Sequence, residues 1–382
     1  MNRALGAFVA GCLLISACGT PAGLRHSDIP PLNGNRASFD QATVDQSTHR
    51  LYLADGALPS VDVFDVSGDQ PRFLSSVKLG HAPHGLAVAT DLRKVFAGMD
   101  GGGVAVIEAD PAAKNVNTVI ATVQTSAAKN VDLVDYEPTG HLIWAASSDE
   151  GILTKIDAIR NLALGHVNLS PGLEQPRFNP GDNLLYLPDM TKNVIYRIDP
   201  VRLAVLTQWD LGVPCAPTGM GIDPKREIAL LGCSDPSIAY TLEWNLASGH
   251  RVRTFTEVGA ADQVVYDQAN GIYLVAGLSG GVTAIGFFDA GATVAYRSLK
   301  LTHADSRAVA IDDAGKVVFT PDAHPGETGL ISFPLPVKET AAPPLVAPLI
   351  YLLPLLLVAL AVWYFGSRRQ RQRRLAGRPM YS

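Results

Sequence analysis

LGHAPHGLAVATDLRKVFAG, residues 79–98, contains two short runs of small and β-branched residues on either side of a polar turn. GLAVAT and KVFAG read as antiparallel strands, since alternation and β-branching suit a pleated, half-buried surface. His81 and His84 lie three residues apart just before the first run. They are either an isolated metal or catalytic pair or the punctuation of a repeat, and recurrence of the stretch decides between these.

The stretch recurs. RLYLAD (50–55), KVFAGM (94–99), HLIWAAS (141–147), NLLYLPD (183–189), EIALLGC (227–233), GIYLVAG (271–277) and KVVFTPD (316–322) share one pattern. Their first apolar residues, Leu51, Val95, Leu142, Leu184, Ile228, Ile272 and Val317, are spaced by 44, 47, 42, 44, 44 and 45. A small-residue strand precedes each string, as in GLAVAT and RAVAID, and another strand follows it, as in VDVFDV and VAVIEA. An outer strand such as FLSSVKL then completes the unit. Four short strands per period of about 44 residues is the signature of a propeller blade. The seventh unit ends at GLISFPLP without an outer strand. Residues near 28–33 are expected to supply it and close the ring, because a ring must leave no open edge. The predicted class is all-β: a seven-bladed β-propeller of four-stranded antiparallel blades, plus a C-terminal transmembrane helix.

The pattern LGxxPxGLAVxxDxxKVF…GGVAVIE resembles the YVTN-type β-propellers, a class of exported bacterial seven-bladed proteins, over residues 28–336. VDVFDV, VAVIEA and VIYRID are similar to that family's "VSVID" strand. The family's Pro-Asp-Gly turn is replaced here by ATDLRK and DPKRE and is nearest in DDAGK, and the EQPRFNP stretch is irregular. The resemblance implies a fold and an exported location. It transfers no particular ligand. Some seven-bladed relatives are sugar lactonases, and other propellers hold quinone or metal cofactors.

Both termini point to a membrane. Residues 1–18, MNRALGAFVAGCLLISAC, join Arg3 to an apolar run and end in Ile15-Ser16-Ala17-Cys18, which resembles a lipobox with Cys18 as the acylated residue. An ordinary secretory signal cut near Ala17 is the alternative; both export the chain. After the ectodomain, 19–336, and a linker, 337–344, residues 345–365 are 21 positions without a charge. At about 1.5 Å per residue they span roughly 31 Å, the thickness of a hydrocarbon core. The tail 366–382 carries Arg368, Arg369, Arg371, Arg373, Arg374 and Arg378 and no acid. The positive-inside rule puts such a tail in the cytoplasm and the propeller on the extracytoplasmic side, periplasmic or extracellular. A sortase signal is the competing reading of this end, but LPVKET (335–340) matches LPxTG only loosely.

Charge narrows the partners. The whole chain is −5; its 31 basic residues less those six arginines leave 25 against 36 acidic, or −11. An acidic ectodomain excludes nucleic acid as the expected partner. The membrane and a protein or glycan ligand remain.

Candidate site residues follow from topology. In a four-stranded meander, the loop entering the inner strand shares a face with the loop between the second and third strands. The entry positions, ten or eleven residues before each repeat marker, are Asp40, His84, Asp132, Thr218, Asp262 and Arg307. EQPRFNP does not align, and Arg177 is taken as its contributor. These seven are predicted to ring the mouth of the central channel. The plain reading of His84 is a polar loop residue. A metal would need further ligands from other blades, such as Asp40 or Asp132. HExxH, CxxC and phosphate-binding loops are absent from the sequence, so no catalytic, cofactor-binding or metal set is assigned. Cys215, in an entry loop, and Cys233, ending the second strand of the same unit, are predicted to form a disulfide closing an 18-residue loop. Such a bond contributes about 3 kcal/mol. The expected function is a membrane-anchored binding or scaffold module. The rival is an enzyme, lactonase-like or metal- or quinone-dependent, with its site at the same mouth.

Overall fold

Each sequence repeat forms one sheet in the computed structural model of the chain. The structure describes residues 23–68, 70–234, 240–291, 296–301 and 307–337, and beyond them 357, 358, 360, 363 and 364. Seven four-stranded antiparallel sheets are found among them. Blades 1 to 6 occupy residues 39–78, 83–124, 133–168, 177–210, 217–255 and 259–301, and each meanders outward in chain order. Blade 7 takes its three inner strands from residues 310–334 and its outermost strand, Arg25–Asp28, from the N-terminal end of the described chain.

That closing strand lies a few residues earlier than the sequence suggests. Arg25–Asp28 pairs with Gly329–Pro334, with Ser27 opposite Leu330. Pro30–Leu32 is instead a 3₁₀ turn. Two successive prolines have no N–H to give a ladder, so pairing must stop before them. Ser27 Oγ also donates to Pro71 O at 2.8 Å and ties the closing strand to blade 1.

The apolar residues are divided among seven clusters, one at each blade–blade contact. Val61, Val63 and Tyr52 of blade 1 meet Leu86, Val95 and Ile107 of blade 2. Blades 7 and 1 meet through Ala308, Phe319 and Leu330 against Leu51, Leu53 and Phe64. This is why the middle strands, such as Ser60–Asp65, are buried on both faces while outer strands such as Leu162–Asn168 alternate. Each fully buried Val, Leu or Phe contributes roughly 1.5–3 kcal/mol, so the ring is held mainly by these seven contacts.

Inner strands converge on the axis, and close approach there demands glycine. A Cβ on Gly85 would lie 2.6 Å from Leu133 Cα, and one on Gly219 would lie 2.5 Å from Asp262 O. Gly85 and Gly219 each follow a mouth residue, His84 and Thr218, in HGLAV and TGMGI.

Cys215 and Cys233 are joined by a disulfide in blade 5, with Cα atoms 4.5 Å apart. The signal segment 1–18, with Cys18, lies outside the described residues. So does the expected span 345–365, apart from Leu357, Val358, Leu360, Trp363 and Tyr364, which are helical and exposed. Among the described residues no helix is long and apolar enough to cross a membrane. Met1–Val337 and Lys338–Ser382 are separate compact units.

Candidate functional site

The inner strands all enter the channel from one end, and there their pairing slips. In blades 1, 2, 5 and 6 the register shifts between Phe39 and Ala42, Pro83 and Leu86, Pro217 and Met220, and Gly259 and Gln263. A bulge leaves extra residues unpaired and re-aims their side chains. Asp40, His84, Thr218 and Asp262 are such residues. Asp132 sits at the head of the blade 3 ladder, its N–H donating to Ala146 O at 2.8 Å.

The result is a polar cavity of about 400 Å³ at the channel mouth, lined by Asp40, Asp132, Glu174, Thr218, Asp262 and Arg307. Arg307 pairs with Asp262 at 2.9 Å and donates to Ala260 O at 3.1 Å. Thr218 Oγ1 donates to Ala261 O. His84 bridges two carboxylates: Nδ1 lies 3.0 Å from Asp40 Oδ2, and Nε2 lies 3.0 Å from Asp100 Oδ1. The hydrogen bond to Asp40, against the cost of burial and with help from Asp100, raises the His84 pKa to about 9. With both ring nitrogens donating, His84 is an imidazolium at neutral pH. His81 takes no part; it is exposed, with its ring against Gly101.

Burial dominates the acids. It pushes Asp132 up to about 7, with the Asp40 charge adding to the effect and His84 opposing it. Glu174, only 8% exposed, is pushed up to about 9 by burial and then by the charges of Asp132, Asp262 and Asp40. Burial also raises Asp262, with Arg307 opposing. Four carboxyls therefore face one polar space, with His84 and Arg307 as the cations beside them. Asp40, His84 and Asp132 each present one metal-ligating atom within 4.8 Å of the others.

Arg177 belongs elsewhere, and Glu174 takes its place at the mouth. Glu174 N–H donates to Pro188 O at 3.0 Å, four residues past the Leu184 marker, as Asp132 does to Ala146 past Leu142. Arg177 pairs opposite Tyr186, the register position that Asp135 holds opposite Trp144. It is three residues deeper, donating to Asp135 Oδ1 at 2.9 Å and to Met220 O at 2.7 Å. The inner strand of blade 4 is only Arg177–Asn179, so the visible strand begins well below the mouth. The ten-residue spacing back from Leu184 falls on Glu174 and was the available signal.

Sequence reasoning also missed Asp100 and a set of glutamines. Asp40-Gln41, Glu174-Gln175 and Asp262-Gln263 are acid–amide pairs at equivalent positions. Each acid faces the mouth, and each glutamine lies buried one residue deeper. Gln41 Oε1 accepts from Leu86 N–H at 3.1 Å, tying blade 1 to blade 2. Gln263 Oε1 accepts from Val309 N–H at 3.0 Å and its Nε2 donates to Ala42 O at 2.9 Å, spanning blades 6, 7 and 1. Gln41 and Gln263 also line a second cavity, of about 430 Å³, further along the inner strands, where Arg177 and Asp135 lie.

No family model matches the chain, and no curated protein matches it. Among solved structures it is similar to a chain of a mitotic checkpoint complex, with a TM-score of 0.66 over 87% of this chain and 98% of that one. The two are 12% identical, so the likeness is one of fold.

Proposed function

We propose that this chain is an exported, membrane-anchored propeller that binds a protein or glycan partner at the channel mouth bearing Asp40, Asp132, Glu174 and Asp262. The observation that carries this reading is the cavity itself. Six blades contribute a lining residue and the seventh an adjoining histidine, and the carboxyls there are buried at a cost that a free surface would not impose. Rigid inner strands hold loops around it, which suits recognition. The lipobox-like Cys18, the uncharged stretch 345–365 and the arginine tail support anchoring with the propeller outside the cytoplasm. The YVTN-type resemblance supports the same location.

A second reading, a hydrolase, is favoured by one observation: a carboxyl with a pKa near 7, Asp132, faces the same cavity. Groups poised near neutrality suit general acid–base work. The two readings separate in one experiment. Partner recovery from cells with the full-length chain is compared between wild type and Asp262→Asn/Arg307→Ala, alongside lactone hydrolysis by wild type and Asp132→Asn. Recovery lost in the double variant, with no hydrolysis by wild type, supports binding. Hydrolysis abolished by Asp132→Asn overturns it in favour of the enzyme.

A further inference from the structure

We propose that His84, Asp40 and Asp132 form a site for a first-row divalent transition cation, Zn²⁺ or Mn²⁺, at the channel mouth. The inference rests on the reading of this mouth as the binding face and adds the ion that would be held there.

The donors converge from three blades. One ligand atom from each of the three residues lies within 4.8 Å of the other two. Metal–nitrogen and metal–oxygen bonds of about 2.0–2.2 Å place neighbouring donors some 3 to 4 Å apart, so small side-chain shifts complete the set. One imidazole with two carboxylates suits Zn²⁺ or Mn²⁺ better than an all-oxygen calcium cage.

The second coordination layer is already present. His84 Nε2 donates to Asp100 Oδ1 at 3.0 Å, which aims Nδ1 at Asp40 Oδ2, also at 3.0 Å. A carboxylate behind the far nitrogen of a ligating histidine fixes its tautomer and orientation. The ion would take the space now held by the proton between Nδ1 and Asp40. Asp100 would keep the other ring N–H.

A separate observation points the same way. Glu174 is 8% exposed and lines this cavity, and its carboxyl has no hydrogen-bond or ion-pair partner among the described residues. The charges it meets are those of Asp132, Asp262, Asp40 and Asp189, all acidic. Arg307 is engaged by Asp262. A buried carboxyl without a partner, aimed into a cavity lined by other carboxyls, marks a space that suits a bound cation.

The test uses the purified full-length chain, stripped with chelator and dialysed separately against Zn²⁺, Mn²⁺ and Ca²⁺. Retained metal is measured by mass spectrometry. Wild type is expected to retain one Zn²⁺ or Mn²⁺ per chain. His84→Ala and Asp132→Asn should weaken retention at least tenfold, and Asp100→Asn by 10- to 100-fold. Asp65→Asn, which removes an equal charge from a carboxylate paired with Arg72 on the outer part of blade 1, should change nothing. Co²⁺ loaded into wild type gives a visible spectrum reporting nitrogen ligation without a variant. His84→Ala, where folded, should lose that spectrum. No stoichiometric metal in wild type, or equal retention in Asp132→Asn, overturns the site. Metal held as described while the partner is recovered through another face refutes the function reading and leaves the site standing. Partner recovered at this mouth while wild type retains no stoichiometric metal does the reverse.

Discussion

Replacing Glu174 by Gln should make the propeller more stable. Glu174 is 8% exposed, and its pKa rises from an ordinary 4.5 to about 9. At pH 7 the unfolded chain carries this carboxyl ionised, whereas the folded chain must keep it protonated. The difference of 2.5 units from the unfolded value, at 1.36 kcal/mol each, costs about 3 kcal/mol. The sign follows from the direction of the shift. The folded state binds the extra proton between about 4.5 and 9, so stability is highest below this window and falls as pH rises through it. Gln keeps the size and loses the charge, so Glu174→Gln should gain under 1 kcal/mol at pH 5 and about 3 kcal/mol at pH 7. Urea unfolding in chelator at pH 5, 7 and 8.5 measures this; an ionic denaturant would screen the effect. His84, with its raised pKa of about 9, also loses stabilisation as pH rises above 6.5, in wild type and variant alike. The quantity that matters is therefore the difference between the two proteins. A variant no more stable than wild type at pH 7, or a difference that does not grow with pH, refutes the account of Glu174 as a buried, unbalanced acid.

Gly85→Ala should destabilise by roughly 1–3 kcal/mol, because its Cβ would sit 2.6 Å from Leu133 Cα, whereas Gly68→Ala, with open space around it, should be neutral in the same urea titration. Reducing the Cys215–Cys233 bond should cost about 3 kcal/mol, read as a lower melting temperature in dithiothreitol and no change in Cys215→Ala/Cys233→Ala. Burial, with the nearby charge of Asp55 adding to it, pushes the Asp62 pKa up to about 7, so wild type should lose stability from about pH 4 to 7. Asp62→Asn should flatten that limb. Deleting residues 23–28 removes the closing strand of blade 7 and should abolish a single cooperative unfolding transition, monitored by circular dichroism.

The blades were legible because each must present the same pattern to its neighbours. Seven strings at a spacing near 44 encode seven copies of one packing problem, and the interblade clusters solve it with the residues those strings contain. Closure was legible in kind but shifted in place, since Pro30 and Pro31 forbid pairing where the pattern looked best. The mouth was harder to read. Side chains there are aimed by bulges, which follow strand register and leave no composition of their own. Arg177 was misread because proline interrupts the strand above it, while Glu174 carried the repeat spacing. Asp100 reaches His84 from a glycine-rich loop of the same blade, a pairing that only the folded geometry reveals. Gln41 and Gln263 bridge blades through backbone groups, so no partner residue type marks them.

The central claim is that the channel mouth is where this protein meets its partner. A photo-cross-linking amino acid placed at Met190, which borders the mouth, is compared with one at Gln268, which borders the second cavity. The account predicts a partner adduct from Met190 that is lost with Asp262→Asn/Arg307→Ala, and none from Gln268. An adduct formed from Gln268 and not from Met190 would contradict it.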